Sequence, residues 1–287
     1  MIMAGLRPLP PGQSGLTTLR NSDGILRLQI GDAPLRSEAA KAYRNQQRRF
    51  IYARNAETWY SIQLRKISQQ IGALTEHLYD PVAPMATTIL EDALRAYSKI
   101  IAPWARNVAT KMIADVARRD YKAWRERSRE IGAGLAEEIA NAPTGEVMRA
   151  LLDEQVDLIT SLPLDAAKRV QELALNSISE STRGENIVEL IMRTGLVSKN
   201  HATLIARTET ARTAAVLTEA RAKHVGSDGY IWRTARDRDV RPLHRKLEGK
   251  FCYWNDPPIS GEQGERSHPG CIYNCRCWPE VILPERN

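Results

Sequence analysis

Between Ser37 and Ile71 the chain carries no glycine or proline, and no other feature constrains its fold as much. Along and beyond this run, apolar or aromatic residues recur at Phe50, Ala53, Tyr60, Leu64, Ile67, Ile71, Leu74 and Leu78, mostly in steps of three and four. That spacing lays one apolar stripe along a helix, and the stripe must be covered by another helix. Ser37 is the expected N-cap and Asp80-Pro81 the stop. A second stripe runs through Leu90, Leu94, Tyr97, Ile101, Trp104, Val108 and Met112 and on through Trp124, Ile131, Leu135 and Ile139 to Asn141-Ala142-Pro143. Pro103 lies inside it and predicts a kink or break, because proline lacks the backbone donor and clashes with the preceding turn. Shorter helices are expected over 144–160, 164–182, 185–194 and 198–225, separated by Pro163, Gly184 and Gly195. Long stripes joined by short loops favour antiparallel packing.

The two ends read differently. Residues 1–35 are punctuated by Pro8, Pro10, Pro11, Gly12, Gly15, Gly24, Gly31 and Pro34, which predicts an extended arm, disordered or ordered by a neighbouring subunit. Within it Ile25, Leu26, Leu28 and Ile30 suit an edge strand that pairs with a partner. Composition changes at Gly226-Ser227-Asp228-Gly229. Beyond it, β-type runs at 230–232, 250–254 and 277–283 alternate with proline- and glycine-rich turns, and one short helix is expected over 240–247. The fold class is therefore mainly α: an N-terminal arm over 1–35, an elongated body of long antiparallel helices over 36–197, and a small α+β domain over 198–287.

Several function classes drop out on composition. Hydrophobic residues make up 43% of the 287 and charged residues 26%, which is ordinary globular usage. No run of about 18 apolar residues is present, so no membrane partner is expected. The first residues lack an apolar block followed by a small-residue cleavage site, so the chain is expected to stay where it is made. Four cysteines do not make a disulfide scaffold in a chain of this length, and a reducing cytosol is the expected compartment. The net charge is +7 and unevenly placed: the windows 36–66 and 95–130 are each strongly positive, while 227–287 is nearly neutral. Arg44, Arg48, Arg49, Arg118, Arg119, Arg125, Arg127 and Arg129 are candidates for sequence-independent contacts to the phosphates of double-stranded DNA. Solvated helix faces are the competing reading.

The densest chemistry-bearing constellation is His268-Pro269-Gly270-Cys271-Ile272-Tyr273-Asn274-Cys275-Arg276-Cys277, with His244 and Cys252 upstream. Thiolates and imidazoles are what a tetrahedral Zn²⁺ takes, and His268, Cys275, Cys277 and Cys252 form the candidate structural set. Cys-x-Cys is not the usual zinc knuckle, so a disulfide or packed free thiols remain open. A catalytic thiol would need a base and an orienting residue that nothing singles out. In a second constellation, Trp232 to His244, Asp237 or Asp239 is expected to cap the helix starting near Val240, with Arg241 returning charge to a carboxylate. A general-acid carboxylate pair is the sharper alternative. There is no phosphate loop, Gly-x-Ser-x-Gly, His-Glu-x-x-His or dinucleotide fingerprint. No catalytic residue is assigned; the rival reading is a zinc hydrolase built from His244, His268, Cys275, Cys277 and Asp237.

Ile205-Ala206-Arg207-Thr208-Glu209-Thr210-Ala211-Arg212 is followed in order by Gly229-Tyr230-Ile231-Trp232, then Asp237 to His244, then Leu247-Glu248-Gly249-Lys250. Next come Trp254, Asp256-Pro257-Pro258, His268-Pro269-Gly270 and Asn274-Cys275-Arg276-Cys277-Trp278-Pro279. This succession resembles the C-terminal domain of the tailed-phage head morphogenesis family, which includes the phage Mu F-like minor head proteins. The likeness implies that Trp232, Asp237, Arg241, His244, Gly249, Trp254, His268, Cys275 and Cys277 form the domain's structural motif, while Cys252 and Cys271 depart from it. It also implies a minor capsid protein, in one or several copies per head, acting at the portal vertex in head assembly and DNA packaging. Implied partners are the portal protein and a major capsid or scaffolding protein. No cofactor is required, and the protein would pass from the host cytoplasm into the capsid interior near the portal.

Overall fold

The computed structural model describes residues 17–20, 26–29, 54–84, 86–131, 141–180 and 184–284. The expectations for Ser37, Phe50, Ala53, Leu135, Ile139, Arg44, Arg48 and Arg49 lie outside the described residues, as do those for the side chains of Arg127, Arg129 and Ile131. The chain is mainly α, with a small C-terminal sheet, as its patterning predicts.

Near the N-terminus β1 (Thr17–Arg20) and β2 (Leu26–Gln29) pair antiparallel, with Thr17 opposite Gln29 and Arg20 opposite Leu26. The strand expected to seek a partner thus finds one in its own chain. Asn21-Ser22-Asp23-Gly24 between the two runs is turn chemistry, and a local pairing costs less loop entropy than an intermolecular one.

Helix α1 (Arg54–Leu78) buries Tyr60, Leu64, Ile67 and Ile71, the stripe read from the sequence. It stops before Asp80, whose carboxylate accepts the Val82 N–H at 2.9 Å to close the turn. Helix α2 (Thr88–Ile100) gives way at Ile101 to α3 (Ala102–Ile131), so the expected break falls two residues before Pro103. There the proline occupies the first helical turn, where its missing N–H has no partner to lose.

Pro163 does not separate two helices. Helix α4 (Thr144–Glu180) runs 37 residues straight through it. Leu162, Ala166, Ala167 and Val170 are buried around the proline, and such packing outweighs the local penalty of about 3 kcal/mol. Ser98 of α2 helps by donating its hydroxyl to the Thr160 carbonyl at 2.7 Å, in the turn that the proline interrupts. Helix α5 (Gly184–Met192) then leads through Arg193 into α6 (Thr194–His224). Gly184 opens α5 and Gly195 lies in the first turn of α6, so both glycines stand at helix boundaries as expected. A Cβ on Gly195 would stand 2.8 Å from the Gly72 Cα of α1, so this glycine is where the α1 and α6 backbones cross closely.

The first core joins α1, α2, α3, α4, α5 and α6. A buried polar chain crosses it: the Tyr60 hydroxyl donates to Gln155 Oε1 at 2.9 Å, and Gln155 Nε2 donates to Glu209 Oε2 at 2.7 Å. Burial, and then the Glu209 carboxylate, push the Tyr60 phenol far above its ordinary range, so it stays protonated and donating.

After α6 the chain forms β3 (Gly229–Arg233), α7 (Pro242–Leu247), β4 (Phe251–Tyr253) and β5 (Trp278–Ile282). The sheet order is β4-β3-β5, antiparallel throughout, with Tyr230 opposite Cys252 on one side and Val281 on the other. Pro279 sits on the edge strand β5, where a missing donor is tolerated. A second core forms from Tyr230, Trp232, Leu247, Cys252, Trp254, Cys275, Cys277 and Val281, joined by Trp124 of α3 and by Ala222 and Val225 at the end of α6. Beside it Asp120 of α3 accepts from Arg221 Nε at 2.6 Å and from the Thr218 hydroxyl at 2.9 Å, all buried.

Candidate metal centre

Arg241 precedes α7 in an extended conformation, and Pro242 at its first turn carries a φ already suited to the helix. This entry puts His244 inward, edge-on to Trp232 with ring centroids 5.3 Å apart. His244 Nε2 lies 3.0 Å from the Ser260 carbonyl oxygen, which can only accept, so Nε2 carries the proton. In the neutral ring Nδ1 then presents a lone pair, and it faces two sulfurs.

Those sulfurs are brought there by a backbone reversal. Asn274 has φ +55°, a left-handed conformation that asparagine tolerates better than most residues, and its N–H donates to Thr208 Oγ1 of α6 at 2.9 Å. The chain then enters β5 with both thiols turned the same way, as the Cys-x-Cys spacing predicts. Cys275 Sγ is 3.6 Å and Cys277 Sγ 3.4 Å from His244 Nδ1, and the three ligand atoms all lie within 4.8 Å of one another. All three residues are buried. The Cys277 S–H, acting against burial and helped by the Cys277 N–H, brings Cys275 down to about 4. Cys277 is pushed up as the donor of that bond and by burial. All four cysteines are free, so the disulfide alternative is set aside.

The zinc set read from spacing needs correction: His244 stands where His268 was expected, and Cys252 is elsewhere. His268 Nδ1 lies 3.0 Å from the Tyr230 hydroxyl, with its ring 5.5 Å from that of Trp254 and Nε2 3.6 Å from Glu219. Burial lowers its pKa against the pull of Glu219. Cys252 packs at the same end of β3, and burial pushes its thiol up to about 11; Cys271 is pushed up to about 12, again mainly by burial. Asp237 and His268 do not join the His244–Cys275–Cys277 cluster among the described residues, so the five-residue hydrolase constellation is not assembled.

The capping expectation also changes. The α7 N-cap is Arg241, without a side-chain cap bond, because the helix starts three residues after Asp239. Asp237 instead accepts the Asp239 N–H at 3.1 Å within its own turn. Both carboxylates are engaged by Arg276, at 2.9 Å for Asp237 and 3.2 Å for Asp239, and no general-acid role is built from them. Arg241 donates to the Tyr273 carbonyl at 3.0 Å and lies over the Tyr273 ring. Gly249, at φ +78°, turns the chain from α7 into β4 and donates its N–H to the Trp232 carbonyl at 2.8 Å. Trp254 donates its indole N–H to Ser227 Oγ at 3.1 Å.

Sequence reading missed Arg276, Glu248, Ser260 and Thr208. Glu248 accepts the Thr234 N–H and hydroxyl, each at 2.7 Å, and the Arg236 guanidinium at 2.9 Å. Burial opposes its ionisation, but these bonds from Thr234 and Arg236 win and hold it below its ordinary value. Only Arg276 carried a usable signal, a cation between two cysteines with two aspartates upstream.

Residues 168–279 match the family described as Phage Mu protein F like protein. An uncharacterized protein of Haemophilus influenzae is 24% identical over 248 residues, covering 80% of this chain and 54% of the relative. The chain thus spans about half the length of that relative. No solved structure gives a significant match. No described helix is long and apolar enough to cross a membrane. Residues 168–279, which include α6, β3, α7, β4 and the His244–Cys275–Cys277 cluster, are thus similar to the Phage Mu F-like family of phage head morphogenesis.

Proposed function

We propose that the chain is a minor head protein of a tailed phage, acting at the portal vertex during head assembly and DNA packaging. The C-terminal module grips the portal and a major capsid or scaffolding protein, and the helical body faces packaged DNA. The observation that carries this reading is the family match over the module, which adjoins a helical body with an exposed basic groove. Lys111, Arg118, Arg119 and Lys122 of α3 line that groove with Trp59 of α1, and Lys111 lies 4.8 Å from the Trp59 ring centroid. Lys111, Arg118, Lys122 and Arg125 recur at helical spacing on one exposed stripe, while Val108, Met112 and Val116 are buried. Asp115 pairs with Lys111 and Arg118, both at 2.7 Å. Exposed pairs of this kind are worth about 0–1 kcal/mol, so phosphates can displace the carboxylate.

Purified protein titrated with random-sequence duplex DNA across a salt series tests the DNA half. Binding should weaken as salt rises, with a slope of log K against log salt of about −0.9 per phosphate contact. Arg118→Glu with Arg119→Glu and Lys122→Glu should flatten that slope by about 2.7 on the same principle. A slope near zero, or no binding at low salt, overturns it. Cross-linking in assembled heads tests the location: products with the portal protein are expected, and their absence would move the protein elsewhere in the particle.

A further inference from the structure

We propose that His244 Nδ1, Cys275 Sγ and Cys277 Sγ bind one Zn(II) ion, with a water as fourth ligand, and that the ion ties α7 to the start of β5. The proposal stands on the site alone and is independent of where the protein acts. Tetrahedral zinc, with bonds of about 2.3 Å to sulfur and about 2.0–2.1 Å to nitrogen, sets its sulfur and nitrogen ligands roughly 3.5 Å apart. The observed separations, 3.6 and 3.4 Å, already have that value. Two thiolates and one imidazole are soft donors that select zinc over magnesium or calcium.

The surroundings are those of a metal ligand set. The Ser260 carbonyl fixes the tautomer that leaves Nδ1 free, which is how outer partners orient metal-bound histidines. The fully buried Trp232 indole N–H, without an oxygen or nitrogen acceptor among the described residues, points at Cys277 Sγ and would steady a thiolate. Beside the three ligands lies a cavity of about 20 Å³, bordered by Val240, Asn274 and Arg276. That space is large enough for one water.

The test uses the full chain purified without chelators. Elemental analysis should find about one zinc per chain. Cys275→Ser with Cys277→Ser, and separately His244→Gln, should bring zinc to background, whereas Cys252→Ser and His268→Asn should retain it. Because a ligand variant can also fail to fold, the wild-type chain loaded with Co(II) supplies a second reading. Intense visible bands of a tetrahedral site, with thiolate-to-cobalt charge transfer, are expected. Absence of both zinc and those bands overturns the proposal, and so does loss of zinc from the Cys252 or His268 variants. Chelation should increase hydrogen exchange in α7 and β5 and added zinc should restore protection; unchanged protection would overturn the tying role.

Discussion

At the scale of single residues, the buried chain Tyr60–Gln155–Glu209 is where a small change has the sharpest effect. Gln155→Ala leaves the Tyr60 phenol buried without its acceptor, at a cost of about 1–3 kcal/mol, and takes one donor from Glu209, which keeps Arg212. Denaturant unfolding should show a larger loss for Gln155→Ala than for Tyr60→Phe, which removes one bond; equal losses would mean that water replaces the amide. His268 makes a pH prediction. It faces Glu219 and Lys223 of α6 and Tyr230 of β3, and burial lowers its pKa below the ordinary 6.5. The unfolded chain therefore takes up this proton first, so stability should fall as pH drops below about 6.5. His268→Asn should flatten that stretch of the stability profile; an unaltered profile would show that another group titrates there. The same residue shows the limit of reading ligands from spacing. Tyr230 and Trp232 share a face of β3 but lie two residues apart along it, so His268 meets Tyr230 while His244 meets Trp232. Proximity of His268 to Cys275 in sequence carries no information about which end of the strand each one reaches. The same-face pairing of Cys275 and Cys277 was legible because a period of two fixes it locally.

At the scale of elements, stripes at helical spacing gave α1, α2 and α3 with their buried faces, since that periodicity is set by the helix itself. What stayed hidden was decided by packing between helices. Pro163 looks like a break in isolation yet is carried by the core around α4, and Gly195, beside a real break, is also needed for the crossing of α1 and α6. The crossing yields a paired prediction. Gly195→Ala drives a methyl to 2.8 Å from backbone and should destabilise by about 1–3 kcal/mol, despite the better helix propensity of alanine. Gly72→Ala places its methyl at an ordinary 3.8 Å and should be neutral or stabilising by up to about 1 kcal/mol. Thermal unfolding of both variants checks this; similar shifts for the two would refute the asymmetry.

At the scale of the whole molecule, the change of composition near Gly226 marks the sheet but not the full extent of its core. Trp124 of α3 and Ala222 of α6 complete that core, and Asp120 pairs with Arg221 at its margin. Asp120→Ala breaks the buried Asp120–Arg221 pair, a change worth about 3–5 kcal/mol. It should lower the unfolding midpoints of helices and sheet together, as read by far-ultraviolet circular dichroism and tryptophan fluorescence. Separate midpoints would show that the two cores melt independently. For the same reason a fragment beginning at residue 198 lacks Trp124 and Asp120 and should expose apolar surface to a hydrophobic dye. Helix α6 has 31 residues, about 46 Å at 1.5 Å per residue, and contributes side chains to both cores. It therefore serves as a built-in ruler: a neighbour that clamps the sheet also sets the reach of the distant helices, so spacing within an assembly would be dictated by one rod and not by a hinge.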